Sequence, residues 1–376
     1  MSVLGAARDA AFCDWNAGAP ASEEVLAEFV AVERRCPGNP ASAHAAGRQA
    51  RTALEDARQR IADAFRLTAA DVVFTSGGTE AANLAVSGLG DPSLPVLASA
   101  AEHPAVYEPA QARGLRTLGV DRAAQVQIED PGGQIGLVCL VHAQSEVGTL
   151  QPVEAAAALA TIRGVPLFVD AAQSLGRVEL TTLLATGAAV ALSPHKAGGL
   201  RGHGVLLGHD LHQRLRPLLR GGGQELGMRP GTQSPALAAA NALAIERAVA
   251  EQKTRAAAMA ELRAAFLAGI EQSGVAHRVM TPMANSVPNT AMLHFPAVDG
   301  RNLVAALDLA GVQASHGAAC SSGAVTPPRI LGAIGLDDAA ARACVRFSFG
   351  WLPPARAPFE TGARAGDVVR SLQKKT

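Results

Sequence analysis

The sequence predicts an α/β protein with a mostly parallel central sheet in a large domain and a second, smaller α+β domain. Three observations predict it. Between about residues 47 and 250, short apolar runs alternate with amphipathic or alanine-rich stretches, the pattern of strands joined by crossover helices. The polar groups that stand out, Ser76 to Thr79, Ser145, Asp170 with Gln173, and Ser193 to Lys196, each follow directly on a different apolar run. That placement suits a sheet whose ligands bind beyond the carboxyl ends of its strands. Finally, SPALAAANALAIERAVAEQK (234–253) starts with a Ser cap and a Pro at the first helical position, and is long enough to bridge two domains.

Taken in order, GRQARTALEDARQRIADAF places Leu54, Ala57, Ile61 and Phe65 on one helical face. DVVFT (71–75) reads as a strand, SGG as a tight turn and TEAANLAVSGL as the helix it opens. LPVLAS gives a strand ahead of His103, and LVCLVHA (137–143), PLFVDA (166–171), AAVALS (188–193) and GVLLG (204–208) give four more. Beyond the bridging helix come a helix to about Gln272, the strand NTAMLHF (289–295), a helix around LVAALDLAG and the strand VRFSF (345–349). We place the large domain at residues 17–251 and form the small one from 1–16 with 252–376.

At 376 residues the chain is long enough for roughly two domains with full cores. No apolar run reaches the ~18 residues of a membrane span, and the start of the chain lacks the basic and apolar regions of an export signal. A soluble, cytoplasmic protein without membrane contact is expected. The net charge is +0 and no basic block occurs, which argues against a nucleic-acid partner. Five widely spaced cysteines without a CxxC pair suggest neither a disulfide framework nor a metal site.

Only four of the 33 basic residues are lysine. Lys253 lies in a charged helical stretch, Lys374 and Lys375 in a polar tail, and Lys196 between an apolar run and a glycine-rich turn. Guanidinium cannot deprotonate to a nucleophile, so Lys196 is the candidate reactive amine. SGGTE opens a helix after a strand, where free amides and the Ser76 and Thr79 hydroxyls suit a phosphate; a structural turn would read the same. Asp170 ends a buried strand as a helix cap or as the partner of a protonated ring nitrogen. His103, also at a strand end, is a structural histidine or an acid/base that stacks on a ring. Cys13, Cys139 and Cys344 fit buried small hydrophobes, and Cys36 is ambiguous. Cys320, in the Gly/Ser/Pro-rich HGAACSSGAVTPP, is the candidate thiolate nucleophile. Arg346 is either a surface residue or a bidentate clamp for a carboxylate.

These residues lie in segments that together resemble the cysteine desulfurases, pyridoxal-phosphate enzymes of fold type I in the class V aminotransferase superfamily. The segments are DWNAGAP (14–20), GNPASAHAAGRQA (38–50), FTSGGTEAANLAV (74–86), EHPAV (102–106), SEVGTLQP (145–152), VDAAQSLG (169–176), SPHKAGG (193–199), GGGQELGMRPGT (221–232), HGAACSSG (316–323) and VRFSFG (345–350). The resemblance implies that Lys196 binds pyridoxal 5'-phosphate as a Schiff base, that Asp170 pairs with the ring nitrogen, and that Gln173 and Ser145 border the ring hydroxyl. It implies His103 stacked on the ring, and Gly78, Thr79, Ser193 and His195 around the phosphate. Thr232 would reach the phosphate of the other subunit of a homodimer. Arg346, with Ser145, would hold the carboxylate of L-cysteine, and Cys320 would take its sulfur as a persulfide for an acceptor protein whose identity stays open. Three departures stand out: Ser145 where the family usually has Asn, Leu226 where Arg is common, and GGLRGHG in place of the usual sequence after the lysine. A selenocysteine lyase, an aminotransferase of the same fold, or a non-catalytic scaffold are the alternatives, and Cys320 discriminates among them.

Overall fold

A computed structural model describes residues 10–298, 300–316 and 327–373. Seven strands form the main sheet: β1 (Val72–Thr75), β2 (Val96–Ser99), β3 (Leu115–Leu118), β4 (Leu137–Val141), β5 (Leu167–Asp170), β6 (Ala189–Leu192) and β7 (Gly204–Leu207). Their spatial order is β1-β7-β6-β5-β4-β2-β3. Strands β3, β2, β4, β5 and β6 pair in parallel, while β7 runs antiparallel to both β6 and β1. The reversal has a local cause. Between β6 and β7 lies only the one-turn helix Pro194–Lys196 with its flanking loop, too little chain for the crossover that a parallel return needs. Strands β4 to β7 are buried along their whole length, as expected of a sheet covered on both faces. The edge strand β3, LRTL, is half-exposed; its two polar residues give no apolar run, which is why it is the strand the sequence pattern does not announce.

The helix Ala45–Ala64 buries Leu54, Ala57 and Ile61, and Phe65 follows as its buried C-cap, as the 3.6-residue spacing predicts. The bridging helix stops a little short of the expected 253. Ser234 caps a helix over Pro235–Ala250 with its hydroxyl on the Leu237 amide at 3.2 Å, but a second helix, Gln252–Gln272, follows after a break at Glu251. The Glu251 carboxylate there accepts from Arg247 and Arg255 Nε at 3.0 Å each.

The second core gathers both ends of the chain. Thr290–His294 pairs antiparallel with Cys344–Ser348 and Arg278–Val279, and Ala11–Phe12 pairs in parallel with Val312–Gln313. Ala11 and Cys13 pack with Phe266, Leu293, Phe347 and Val369 in one apolar cluster. No helix among the described residues is long and apolar enough to cross a membrane.

Candidate active site

Strand direction sets the site. Strands β1, β2, β4, β5 and β6 all end on one edge of the sheet, and β7 starts there, with Gly204 opposite Thr75. The turns after these ends carry Ser76 to Thr79, His103, Ser145, Asp170 with Gln173, and Ser193 to Lys196.

Lys196 ends the one-turn helix after β6, its amide bonded to the Ser193 carbonyl at 3.0 Å. Burial lowers the pKa of its ammonium to about 8; the Asp170 carboxylate opposes that fall, while the Arg177 and Arg346 guanidinium groups add to it. Asp170 is buried at the end of β5, and its Oδ1 accepts from the Ala172 amide at 2.9 Å. Its charge acts on both Lys196 and His103. That contact closes a turn and caps no helix, since the next helix begins only at Thr181, and the same carboxylate also acts on the site's titratable groups. His103 caps the helix Pro104–Ala112 through Nδ1, which accepts from the Ala105 amide at 3.1 Å. That bond places the proton of the neutral ring on Nε2. Burial pushes the His103 pKa down, and Asp170 resists.

At the turn after β1, Gly78 opens the helix Gly78–Gly88. A Cβ on Gly78 would stand 2.1 Å from Ser193 Oγ, so the Ser193 hydroxyl lies against the first turn of that helix and only glycine fits there. Gly204 approaches as closely, a Cβ there meeting the Gly77 backbone at 2.4 Å. The Ser76 amide donates to Glu80 Oε2 at 2.6 Å, and Arg229 holds Glu80 with two hydrogen bonds. Thr79 is exposed on the first helical turn, where amides have no intrahelical partner. His195 is held neutral, burial lowering its pKa to about 4 with Lys196 and Arg201 adding to the effect.

Arg346 is 3% exposed. Its Nη1 donates to the Ser145 carbonyl at 3.1 Å and to Glu146 Oε2 at 3.0 Å, and its Nη2 donates to Asp14 Oδ1 at 2.8 Å. It is therefore not a surface arginine on a strand, and Asp14 and Glu146 are the site carboxylates that sequence reasoning missed. The Ser145 hydroxyl donates to Glu146 Oε1 at 3.1 Å. Gln173 is buried, with Nε2 donating to the Asn16 carbonyl at 3.0 Å and Oε1 accepting from Arg177. Thr232 is exposed on the loop before Ser234 and joins none of these contacts among the described residues. Cys320 lies outside the described residues. The other four cysteines, including Cys36, are buried and free of disulfides. No cluster that could hold a metal ion occurs among the described residues.

The donor set fits pyridoxal phosphate. A helix N-terminus narrowed by Gly78 and flanked by the Ser193 hydroxyl suits its phosphate. Asp170 suits the protonated ring nitrogen, a Gln173 N–H the ring oxygen, and an amine with a depressed pKa the aldehyde.

Comparison with known proteins agrees. Residues 11–353 match the family model of class-V aminotransferases. The cysteine desulfurase IscS of Dictyoglomus turgidum is 32% identical over 354 residues, covering 90% of this chain and 89% of that relative. The chain belongs to the cysteine desulfurase family. The cysteine desulfurase NifS of Azotobacter vinelandii is likewise 32% identical, over 90% of this chain and 87% of its own. A solved NifS-like protein superposes with a TM-score of 0.82 at 27% identity, covering 97% of this chain and 99% of that one. Members of this family depend on pyridoxal phosphate.

Proposed function

We propose that this chain is a cysteine desulfurase that converts L-cysteine to L-alanine and loads the released sulfur on Cys320. The observation that carries the reading is Lys196, an amine with a pKa of about 8 set against the Asp170 carboxylate at the carboxyl edge of the sheet, in a chain similar along most of its length to cysteine desulfurases. When bound, the pyridoxal ring supplies an electron sink for the substrate Cα. Lys196 would hold the group through its aldehyde and Asp170 would pair with its ring nitrogen; the Lys196 amine and His103 Nε2 would move protons at the substrate. Gly78, Thr79, Ser193 and His195 hold the phosphate, and Arg346 with Ser145 receives the substrate carboxylate.

The Cys320 thiolate attacks the substrate sulfur. Its S–S bond forms as the Cβ–S bond breaks, the bonding pair stays on carbon, and protonation yields alanine beside a Cys320 persulfide. Burial sets three other cysteines apart from the nucleophile's role, pushing Cys13 and Cys344 up to about 12 and Cys139 well above its ordinary value. None of those three is a thiolate at neutral pH. In this reading residues 17–251 form the cofactor domain, and 1–16 with 252–376 the domain that carries Cys320. The enzyme works as a cytoplasmic homodimer in which Thr232 reaches the partner's phosphate site, and it passes the persulfide to an acceptor protein.

The test is alanine and sulfide production from cysteine by the wild type and Cys320→Ala, with and without thiol reductant. The variant should keep the visible absorbance of the lysine-bound cofactor and lose roughly 100-fold or more in alanine formation, as expected for removing a nucleophile. Undiminished alanine formation by Cys320→Ala would refute the assignment.

A further inference from the structure

Arg177 is 2% exposed, and among the described residues it has no carboxylate partner. Its Nη1 donates to the Gln173 carbonyl at 2.8 Å and to Gln173 Oε1. Its Nη2 donates to the carbonyls of Trp15 at 3.2 Å and Lys196 at 3.5 Å, and its Nε is buried without a partner. A buried guanidinium left with neutral partners is costly, and burial together with Arg346 lowers its pKa, to about 9. It remains charged at neutral pH.

These contacts fix the sense of the Gln173 amide. A guanidinium has only donors, so the atom that faces Arg177 must be Oε1; a carbonyl has only lone pairs, so the atom that faces Asn16 must be Nε2. With Oε1 occupied, what Gln173 has left for the pocket is the second hydrogen of Nε2. That hydrogen serves an acceptor, and the Arg177 charge behind Oε1 favours an anionic acceptor over a neutral hydroxyl.

We propose that Arg177 is a positioning residue: an uncompensated cation behind the Lys196 turn that locks Gln173 as a donor and so selects the anionic, phenolate form of the pyridoxal ring oxygen. The inference rests on the cofactor reading above. The charge acts in the same sense on the lysine nitrogen. The charged and titratable groups that face Lys196 are Asp170 and Glu146, which favour its protonated form, Arg177 and Arg346, which disfavour it, and the neighbouring His103 and His195. Removing one of the two cations raises the pH at which the lysine-bound nitrogen loses its proton.

The experiment measures two quantities on the full chain: the affinity of cofactor-free protein for pyridoxal phosphate, and the pH midpoint of the visible absorbance after loading. Arg177→Met should bind about tenfold more weakly and shift the midpoint up by about one unit. Arg177→Lys keeps the charge but loses the fork, so its affinity should fall while its midpoint stays near the wild type. Arg177→Met with wild-type affinity and midpoint, whatever its melting temperature, overturns the proposal. If that variant does not fold, Gln173→Glu serves: it gives Arg177 a carboxylate and removes the amide donor, so the midpoint should rise and affinity fall, and unchanged values overturn the proposal equally. Wild-type protein that takes up no pyridoxal phosphate defeats the functional reading itself, whereas variants that match a loaded wild type defeat only the role of Arg177.

Discussion

Glu102 lies directly before His103 and is fully enclosed. Its Oε1 accepts from Ser99 Oγ at 2.6 Å and from the Val141 amide at 2.9 Å, while Oε2 is buried without a partner. Burial raises its pKa from 4.5 to about 7, against the pull of those two donors and with help from Asp170. The folded chain thus keeps a proton that the unfolded chain releases near 4.5. Stability falls as the pH rises from about 4.5 to 7, and the loss persists above that window. Glu102→Gln keeps an acceptor at Oε1 and cannot ionise. Urea unfolding should show it close to the wild type at pH 5 and more stable at pH 8 by roughly 2 to 3 kcal/mol. Parallel pH profiles for the two proteins would contradict this. Lys196, Asp170 and His103 are legible in the sequence because scarcity or a strand end singles them out. Glu102, Glu146 and Arg177 are not, since a charged residue beside an apolar run reads the same whether it faces water or the core. Only the packing of β2, β4 and β5 decides that.

At the scale of elements, the turn from β1 into Gly78–Gly88 depends on a missing side chain. Gly78→Ala sets a methyl group against Ser193 Oγ at a distance that no pair of atoms tolerates, so the helix start or the Ser193 hydroxyl must move. Equilibrium binding of pyridoxal phosphate should weaken about tenfold or more, in line with the loss of one well-placed charged hydrogen bond. Gly78→Ala combined with Ser193→Gly should recover part of the loss by clearing the space. The strands that hold such turns were readable as apolar runs, and their common polar edge was readable with them. The reversed direction of β7 was not, because periodicity carries no direction; it follows from the short Ser193 turn. The end of the bridging helix also escaped the pattern, which ran on to 253 where the helix stops at Ala250.

Across the whole molecule, the lysine turn is backed by residues distant in sequence. Trp351 lies over Gly198, where a Cβ would be 3.1 Å from its ring, and packs against Trp15 with centroids 5.2 Å apart and the rings tilted by 59°. The Arg255 guanidinium sits 4.1 Å above the Trp351 ring and donates to the Ala197 carbonyl at 3.0 Å. Trp351→Ala removes both the ring and the seat of the cation. The melting curve should report a loss of about 2 to 4 kcal/mol, and cofactor uptake should slow as the turn loosens. An unchanged melting temperature would show that the stack contributes nothing. The sequence placed residues 1–16 with 252–376, yet it could not show that Trp15, Arg255 and Trp351 pack against one another behind the lysine turn.

The Arg346 pairings carry a consequence for how the two cores come together. Asp14 emerges early in synthesis and Glu146 midway, while their shared cation comes from the strand Cys344–Ser348 near the end. The same strand holds Asp14 in place, through the bridge between Asp14 and Ser348 and the Ser348 amide on the Cys13 carbonyl. One strand of the second core therefore supplies the cation and seats one of the carboxylates that it neutralises, so the charge balance at this edge of the sheet forms only when the two cores are together.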